Sequence, residues 1–302
     1  MDFPRDSFIQ QLNGCNSQFR SSIIEYTDNL IKKGLPVIFS LKHLAVIVSI
    51  EYSELISIKN HIDGYYAYFT IKKKHSSKRR RIVVPYQNLK CIQRWILHKI
   101  LDKIPVHPQS KGFVKGGSTF QNASPHVGMS FIRKFDFKDF FESITVQRVY
   151  GIFLEIGYSP AVSHDLATLC TLKLKEEKYQ SLRGYKQSCF RYLYNKPKAV
   201  LAQGAPTSPA LANLICRGLD SRLAKFADLN GIHYTRYADD LTFSANELEK
   251  LPTQSFLKKI VEEESLKLNY SKTGTYGPES RQMVTGILID GEKPRVPQKF
   301  KR

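Results

Sequence analysis

Tyr237-Ala238-Asp239-Asp240 interrupts two alternating stretches, Ile232-His233-Tyr234-Thr235-Arg236 and Leu241-Thr242-Phe243-Ser244. β-Branched and aromatic residues on both sides of so short a break predict a hairpin, with both carboxylates projected from its tip. A third acid is found upstream. Asp136 closes the apolar run Phe131-Ile132-Arg133-Lys134-Phe135, where a charge is costly unless it is paired or bound to metal. A neighbouring strand would set Asp136 beside Asp239. Carboxylates so placed could hold two Mg²⁺ ions, hard cations that take oxygen ligands, for an in-line phosphoryl displacement. Turn preference alone also explains an Asp-Asp pair, so the weight falls on the residues around it.

Composition narrows the partner. The 302 residues exceed a single small core and suggest two lobes. Lys and Arg outnumber Asp and Glu by 46 to 27, a formal charge of +19, and such a surplus creates a field suited to a polyanion. Nucleic acid is the leading partner. No stretch approaches the length of about 20 apolar residues that spans a membrane, and the most apolar one, Val37 to Ile50, contains Lys42 and His43 and reads as a buried helix. The start, Met1-Asp2-Phe3-Pro4-Arg5-Asp6, lacks the pattern of a secretory signal. Five cysteines without CxxC spacing suggest reduced thiols, and so a cytoplasmic protein.

The pattern along the chain is α+β, without repeats. Residues 1–60 read as helical, with Ser40 capping a helix that starts at Leu41. Tyr65 to Lys73 and Arg79 to Pro85 read as strands joined at His75-Ser76-Ser77. Leu89, Ile92, Ile96, Ile100 and Ile104 mark an amphipathic helix. Glycines 112, 116 and 117 mark a loop, Phe131 to Phe137 a strand, and Thr145 a cap for a helix ending near Gly157. Residues 171–200 are polar and basic. Ser208-Pro209 opens a helix through Leu211, Leu214, Ile215, Leu219 and Phe226 that stops at Asn230-Gly231. Together these predict a sheet backed by helices.

In this order the motifs resemble those of the reverse transcriptases. Asp136-Phe137-Lys138-Asp139-Phe140-Phe141 is similar to the family's first catalytic block, Gln203-Gly204-Ala205-Pro206-Thr207-Ser208-Pro209 to its nucleotide-contacting block and Tyr237-Ala238-Asp239-Asp240 to its second catalytic block. Leu266-Lys267-Leu268-Asn269 through Lys272-Thr273 resembles the block that follows, and Arg80-Arg81-Ile82-Val83-Val84-Pro85 the fingers block. Any one short motif is weak evidence, but the order of five is not. Asn122-Ala123-Ser124-Pro125-His126 matches the NAxxH motif of retron reverse transcriptases, and Val284-Thr285-Gly286 their VTG motif. A helix cap with His126 one turn later, and a strand ending in a turn, are the plain structural readings of these two.

The resemblance implies an RNA-directed DNA polymerase with the right-hand fold. Asp136 and Asp239 would ligate both Mg²⁺ ions, or Mn²⁺ in their place, with Asp240 assisting and the Phe137 carbonyl completing one shell. Phe141 would be the steric gate against a ribose 2′-hydroxyl, Gln203 and Gly204 would line the nucleotide pocket, and Arg80, or Arg81 or Lys78, would clamp the triphosphate. Lys272 would neutralise or protonate pyrophosphate. Asn122, His126, Val284, Thr285 and Gly286 would bear on recognition of a cognate structured RNA. The implied product is a branched single-stranded DNA primed from a 2′-hydroxyl of that RNA, and the implied partners are dNTPs, the noncoding RNA with its DNA, and an effector protein in antiphage defence. The implied domains are a helical N-terminal region (1–60), fingers with the NAxxH region (61–130), a palm (131–275) with an insertion at 171–200, and a VTG segment opening a reduced or truncated thumb (276–302).

Two departures qualify it. Sixteen residues follow Gly286, fewer than a helical thumb needs. The insertion carries Lys173, Lys175, Lys178, Arg183, Lys186 and Arg191, which suits contact with RNA or an effector as well as a solvated loop. A group II intron-like or other bacterial reverse transcriptase, or a noncatalytic RNA-held scaffold or antitoxin, are the alternatives. The aromatic run Tyr65, Tyr66, Tyr68, Phe69 ahead of Lys72, Lys73 and Lys74 suits either exposed RNA bases or a strand core.

Overall fold

The computed structural model describes residues 3–72 and 79–298. The expected tip of the first hairpin, Lys73 to Lys78, lies outside the described residues. Two compact units make up the chain: residues 1–104 with 145–208, and residues 105–144 with 209–302. Helix and antiparallel sheet are mixed, as α+β requires.

In the first unit, helices Ser17–Lys32, Leu41–Ile47 and Tyr52–Asn60 precede a hairpin. Ser40 caps the second of these, its Oγ accepting from the His43 amide at 3.1 Å. Strands β1 (Tyr66–Lys72) and β2 (Arg79–Pro85) pair antiparallel, from Tyr66 opposite Pro85 to Lys72 opposite Arg79. Strand alternation divides the aromatic run: Tyr66 and Tyr68 are buried, whereas Phe69 is exposed. Helix Gln87–Lys99 buries Leu89, Ile92 and Ile96, and the periodic run ends in a tighter 3₁₀ turn, Leu101–Lys103, before Ile104. Buried Gln93 donates to the Tyr66 hydroxyl and to the Leu169 carbonyl, both at 2.8 Å.

Residues 171–200 are more ordered than their polarity suggests. Leu172 and Val200 exchange both backbone hydrogen bonds, at 2.8 and 2.9 Å, which closes the segment at its base. Helices Glu176–Ser181 and Tyr185–Tyr194 lie between. Phe190 is fully buried and meets Tyr68 edge-on at 5.2 Å, fixing the second helix to β1. Thr145 precedes helix Val146–Ile156 as expected, but its side chain makes no capping bond; its backbone instead bridges to Val200.

The second unit is built on a four-stranded sheet. Strands β3 (Phe131–Asp136), β4 (His233–Tyr237), β5 (Asp240–Ala245) and β6 (Gly274–Tyr276) are ordered β4-β5-β3-β6. Phe135 and Phe243 meet edge-on in the core at 6.2 Å. The helix expected from Ser208 to Asn230 is two, Ser208–Ile215 and Arg217–Asn230. Cys216, with ψ of 2°, lies between them, and the Arg217 Nε donates to the Leu214 carbonyl at 3.2 Å. A small hairpin, β7 (Met283–Val284) and β8 (Ile287–Leu288), packs Val284, Ile287 and Ile289 against Ala123 and Ile132. Among the described residues no helix is long and apolar enough to cross a membrane.

Candidate active site

Sheet register assembles the three acids. β3 pairs with β5 so that Asp136 stands opposite Asp240, the last residue of one strand against the first of the other. Opposed residues share a face, and like charges so placed repel. Asp239 is brought in by the turn, where its carbonyl accepts from the Phe137 amide at 3.0 Å. One carboxylate oxygen from each of Asp136, Asp239 and Asp240 lies within 4.8 Å of the others. The expectation placed Asp136 beside Asp239; the register makes Asp240 its direct partner.

The electrostatics call for a cation. Asp240 stays open to solvent at its edge, but the surrounding protein strips water from part of the carboxylate. This desolvation comes first, then the charge of Asp239 and the hydrogen bond and charge of Asp136, and they push the acid up to about 7 against the opposing pull of Lys272. The Lys272 Nζ lies 2.5 Å from the Asp136 Oδ2. Desolvation works against its ammonium, yet the Asp136 hydrogen bond and the three negative charges outweigh that and raise its pKa. Lys134 also feels the charge of Asp240. Three clustered carboxylates make an all-oxygen donor set, which fits a hard divalent cation.

Asn269 was not singled out as a site residue by sequence. It holds Asp136 from two sides: its amide donates to the Asp136 carbonyl at 2.7 Å and its Nδ2 to the Asp136 Oδ1 at 3.2 Å. Its place within the block from Leu266 to Thr273 was the available signal.

The acidic turn is held from beneath by Arg236. Ala238 adopts φ of +58°, a conformation that costs an L-residue about 1 to 2 kcal/mol. The Ala238 carbonyl accepts from the Arg236 Nη1 at 3.0 Å. Arg236 is fully buried and also donates twice to Asp220, at 2.6 and 2.8 Å, and once each to Asn213 and Ser110. Those contacts use all five guanidinium N–H groups. The loop at 109–112 completes the support, since Arg236 receives and returns backbone bonds with Gln109 and Lys111. A Cβ on Gly112 would lie 2.7 Å from the Ala238 nitrogen, so only glycine fits against the turn. No short motif contains this network, in which the side-chain bond from Arg236 to Ser110 alone bridges 126 residues.

Phe141 is half-buried after β3, and Phe113 stands near it. The Phe113 ring centroid is 6.3 Å from that of Phe141 and 6.5 Å from that of Tyr237, and the residue is half exposed at φ of +60°. Sequence reading passed over it because its neighbours mark only a loop. In the first unit, the Gln203 carbonyl accepts from the Val83 amide at 2.8 Å. Gly204, at φ of +122°, lies so close that a Cβ would come within 2.9 Å of the Val83 carbonyl oxygen. Strand alternation puts Arg80 on the face of Ile82, whose Cγ2 borders Gly204, and Arg81 on the other face.

NAxxH and VTG meet. Asn122, His126 and Val284 are buried. The Asn122 Nδ2 donates to the Thr285 Oγ1 at 3.3 Å, and that hydroxyl donates to the Thr119 carbonyl at 3.3 Å. Thr285 and Gly286 have φ of +46° and +83°, the two left-handed positions of a tight hairpin turn. His126 braces the acidic hairpin, with Nε2 2.7 Å from the Thr235 hydroxyl on β4 and Nδ1 2.7 Å from the Ser244 hydroxyl on β5. Thr235 donates onward to the Asn122 carbonyl at 3.4 Å, so the proton sits on Nε2 and Ser244 donates to Nδ1. Burial, then the charges of His233 and Lys134, lowers the imidazole to about 3.

Residues 71–286 match the family model described as reverse transcriptase (RNA-dependent DNA polymerase). The chain is 38% identical over 269 residues to the retron Ec86 reverse transcriptase of Escherichia coli, covering 88% of this chain and 76% of that protein. It is 38% identical to the retron Mx65 and 35% identical to the retron Mx162 reverse transcriptase of Myxococcus xanthus, over 77% and 88% of this chain. It spans 54% and 57% of the lengths of those two relatives. A family match reaching from the first hairpin to the VTG turn, and kinship of this depth, mean that this chain belongs to the reverse transcriptases, within their retron branch.

Proposed function

We propose that this protein copies part of a dedicated structured noncoding RNA into a branched, multicopy single-stranded DNA, primed from a 2′-hydroxyl of the same RNA, and that it serves antiphage defence in the bacterial cytoplasm beside an effector protein. The observation that carries this reading is the convergence of Asp136, Asp239 and Asp240 within 4.8 Å in a chain of the retron branch. Two Mg²⁺ ions at these carboxylates would activate the attacking hydroxyl and neutralise charge on the leaving oxygen.

The protein's own part is positioning. Asp136 and Asp239 offer oxygens from strand end and turn, Asp240 assists, and the Phe137 carbonyl adds a further oxygen donor. Asn269 and Arg236 keep that set in place. Lys272 is half exposed on a flexible stem and stays protonated, which suits it to follow and protonate a departing pyrophosphate. Phe141 excludes a ribose 2′-hydroxyl, while Arg80, Gln203 and Gly204 contact the nucleotide. A 2′-hydroxyl primer demands near-attack geometry, which the RNA fold supplies. Buried Asn122 and Val284 serve RNA recognition indirectly, by holding the turn at Thr285 and the exposed Gly286 in place, and His126 does so by bracing β4 and β5.

The test is to express the protein with its genomic flank and to look for an RNase-resistant, debranching-sensitive single-stranded DNA. Wild type should yield a discrete DNA and Asp239→Asn/Asp240→Asn none. Bound RNA without DNA in both would indicate a noncatalytic scaffold instead.

A further inference from the structure

The insertion and the first hairpin form one cationic, aromatic face within the first unit. Arg79 and Arg81 share a face of β2, being two residues apart. The Arg79 Cζ lies 5.3 Å from the Tyr185 ring centroid, and the Arg81 Cζ lies 4.8 Å from that of Tyr192. The Lys196 Nζ lies over the Tyr192 ring as well, 4.5 Å from its centroid. Tyr185 and Tyr192 are seven residues apart on helix Tyr185–Tyr194, so they lie on one side about two turns from each other. The result is a pair of arginine–tyrosine couples along a single surface.

That surface is both rigid and accessible. The Leu172–Val200 pairing closes the insertion, and buried Phe190 pins its second helix to Tyr68. Tyr185 and Tyr192 are nevertheless 59% and 38% exposed. Arg183, Lys186 and Arg191 are exposed nearby in sequence, and Glu176 and Glu177 are the only acids from 171 to 200. Glu176 is engaged by Tyr194 and Gln180. Lys173 and Lys175 do other work, donating to backbone carbonyls at Tyr194 and Asn60. A run of merely solvated charge has no need of rings, and rings serving only as core would be buried.

We propose that this face binds unpaired RNA, with bases stacking on Tyr185 and Tyr192 and phosphates meeting Arg79 and Arg81. Exposed rings accept bases of any sequence, and planar guanidiniums held beside them match phosphate. The proposal rests on the reading of the protein as an RNA-copying enzyme and assigns the insertion a role within it.

Fluorescence anisotropy with a labelled uridine RNA of about 12 nucleotides, and its thymidine DNA counterpart, tests it at several salt concentrations. Tyr185→Ala/Tyr192→Ala should weaken RNA binding about 10-fold or more, whereas Tyr185→Phe/Tyr192→Phe should retain it, because stacking needs the ring. Arg79→Gln/Arg81→Gln should weaken binding and flatten the log–log salt slope by about 1.4, two phosphate contacts on a single strand. The phenylalanine pair keeps both rings and guards against a misfolded alanine variant. Unchanged RNA affinity in both the alanine and glutamine pairs, or a loss confined to DNA, would overturn the proposal. Primer extension on an RNA template separates the two levels. Wild type that extends, with variants that bind RNA as it does, defeats the platform alone; wild type that neither extends nor binds RNA defeats the function as well.

Discussion

Asp240 is held where its charge works against the fold. Its carboxyl is raised from 3.8 to about 7 by partial desolvation and by Asp239 and Asp136. Between those values the folded protein binds a proton that the unfolded chain has already released, so stability falls as pH rises through that window. In EDTA, Asp240→Asn should therefore melt higher than wild type near pH 8, with the gap closing towards about pH 5. Thermal denaturation at both pH values checks this, and a gap that widens on acidification would have the wrong sign. The same variant should lose DNA synthesis, since activity and apoprotein stability make opposite demands on this carboxylate. Phe113 shows a second tension, a strained backbone carrying a half-exposed ring. Phe113→Ala removes a ring neighbour of Phe141, and an aromatic pair is worth about 0.5 to 1.5 kcal/mol. Discrimination of dNTP over rNTP should fall by up to about 10-fold, as measured by single-nucleotide incorporation, and unchanged discrimination would show that Phe141 stands without it.

The hairpin of β4 and β5 depends on groups that are remote in sequence. Its existence was legible because alternation and turn chemistry are local. Its supports were not. Ser110, Asn213 and Asp220 each look unremarkable in their own segments and gain meaning only around Arg236. The pairing of Asn122 with Thr285 likewise spans 163 residues. Sequence order suggested both motifs, but burial and the left-handed turn that join them are tertiary facts. Removing one partner of the buried Arg236–Asp220 pair strands the other charge, so Asp220→Asn should cost about 3 to 5 kcal/mol, seen as a lower urea midpoint at constant m-value. His126 gives the element a pH signature. Its imidazole is neutral in the folded state down to about 3 and titrates near 6.5 when unfolded. Below 6.5 the unfolded chain takes up the proton first, so acidification removes stability by at most about 1.4 kcal/mol per pH unit. His126→Asn should show a shallower loss between pH 6 and pH 4 in urea titrations, by roughly that amount per unit. An equal slope in both proteins would mean that the ring does not carry the effect.

Charge is the property of the whole molecule that composition alone made plain, because it needs no knowledge of contacts. A formal +19 attracts a polyanion and repels itself, and salt acts on both terms at once. Raising ionic strength from about 0.01 M to 0.15 M shortens the screening length from roughly 30 Å to 8 Å. Repulsion between cations spread over the surface is then largely removed, and the compact state becomes easier to hold. Attraction for RNA weakens over the same range, because phosphate contacts release counterions. The two responses should therefore have opposite signs: the melting temperature of the free protein rises with salt while its affinity for RNA falls. Ion pairs such as Arg222 with Glu263 and Arg5 with Asp28 pull the melting temperature the other way, but exposed pairs of this kind contribute little, because solvent screens them. Melting curves and anisotropy titrations in matched buffers decide between them. A melting temperature that falls with salt would mean that surface pairs outweigh net repulsion, and that the excess charge weighs on recognition more than on the fold.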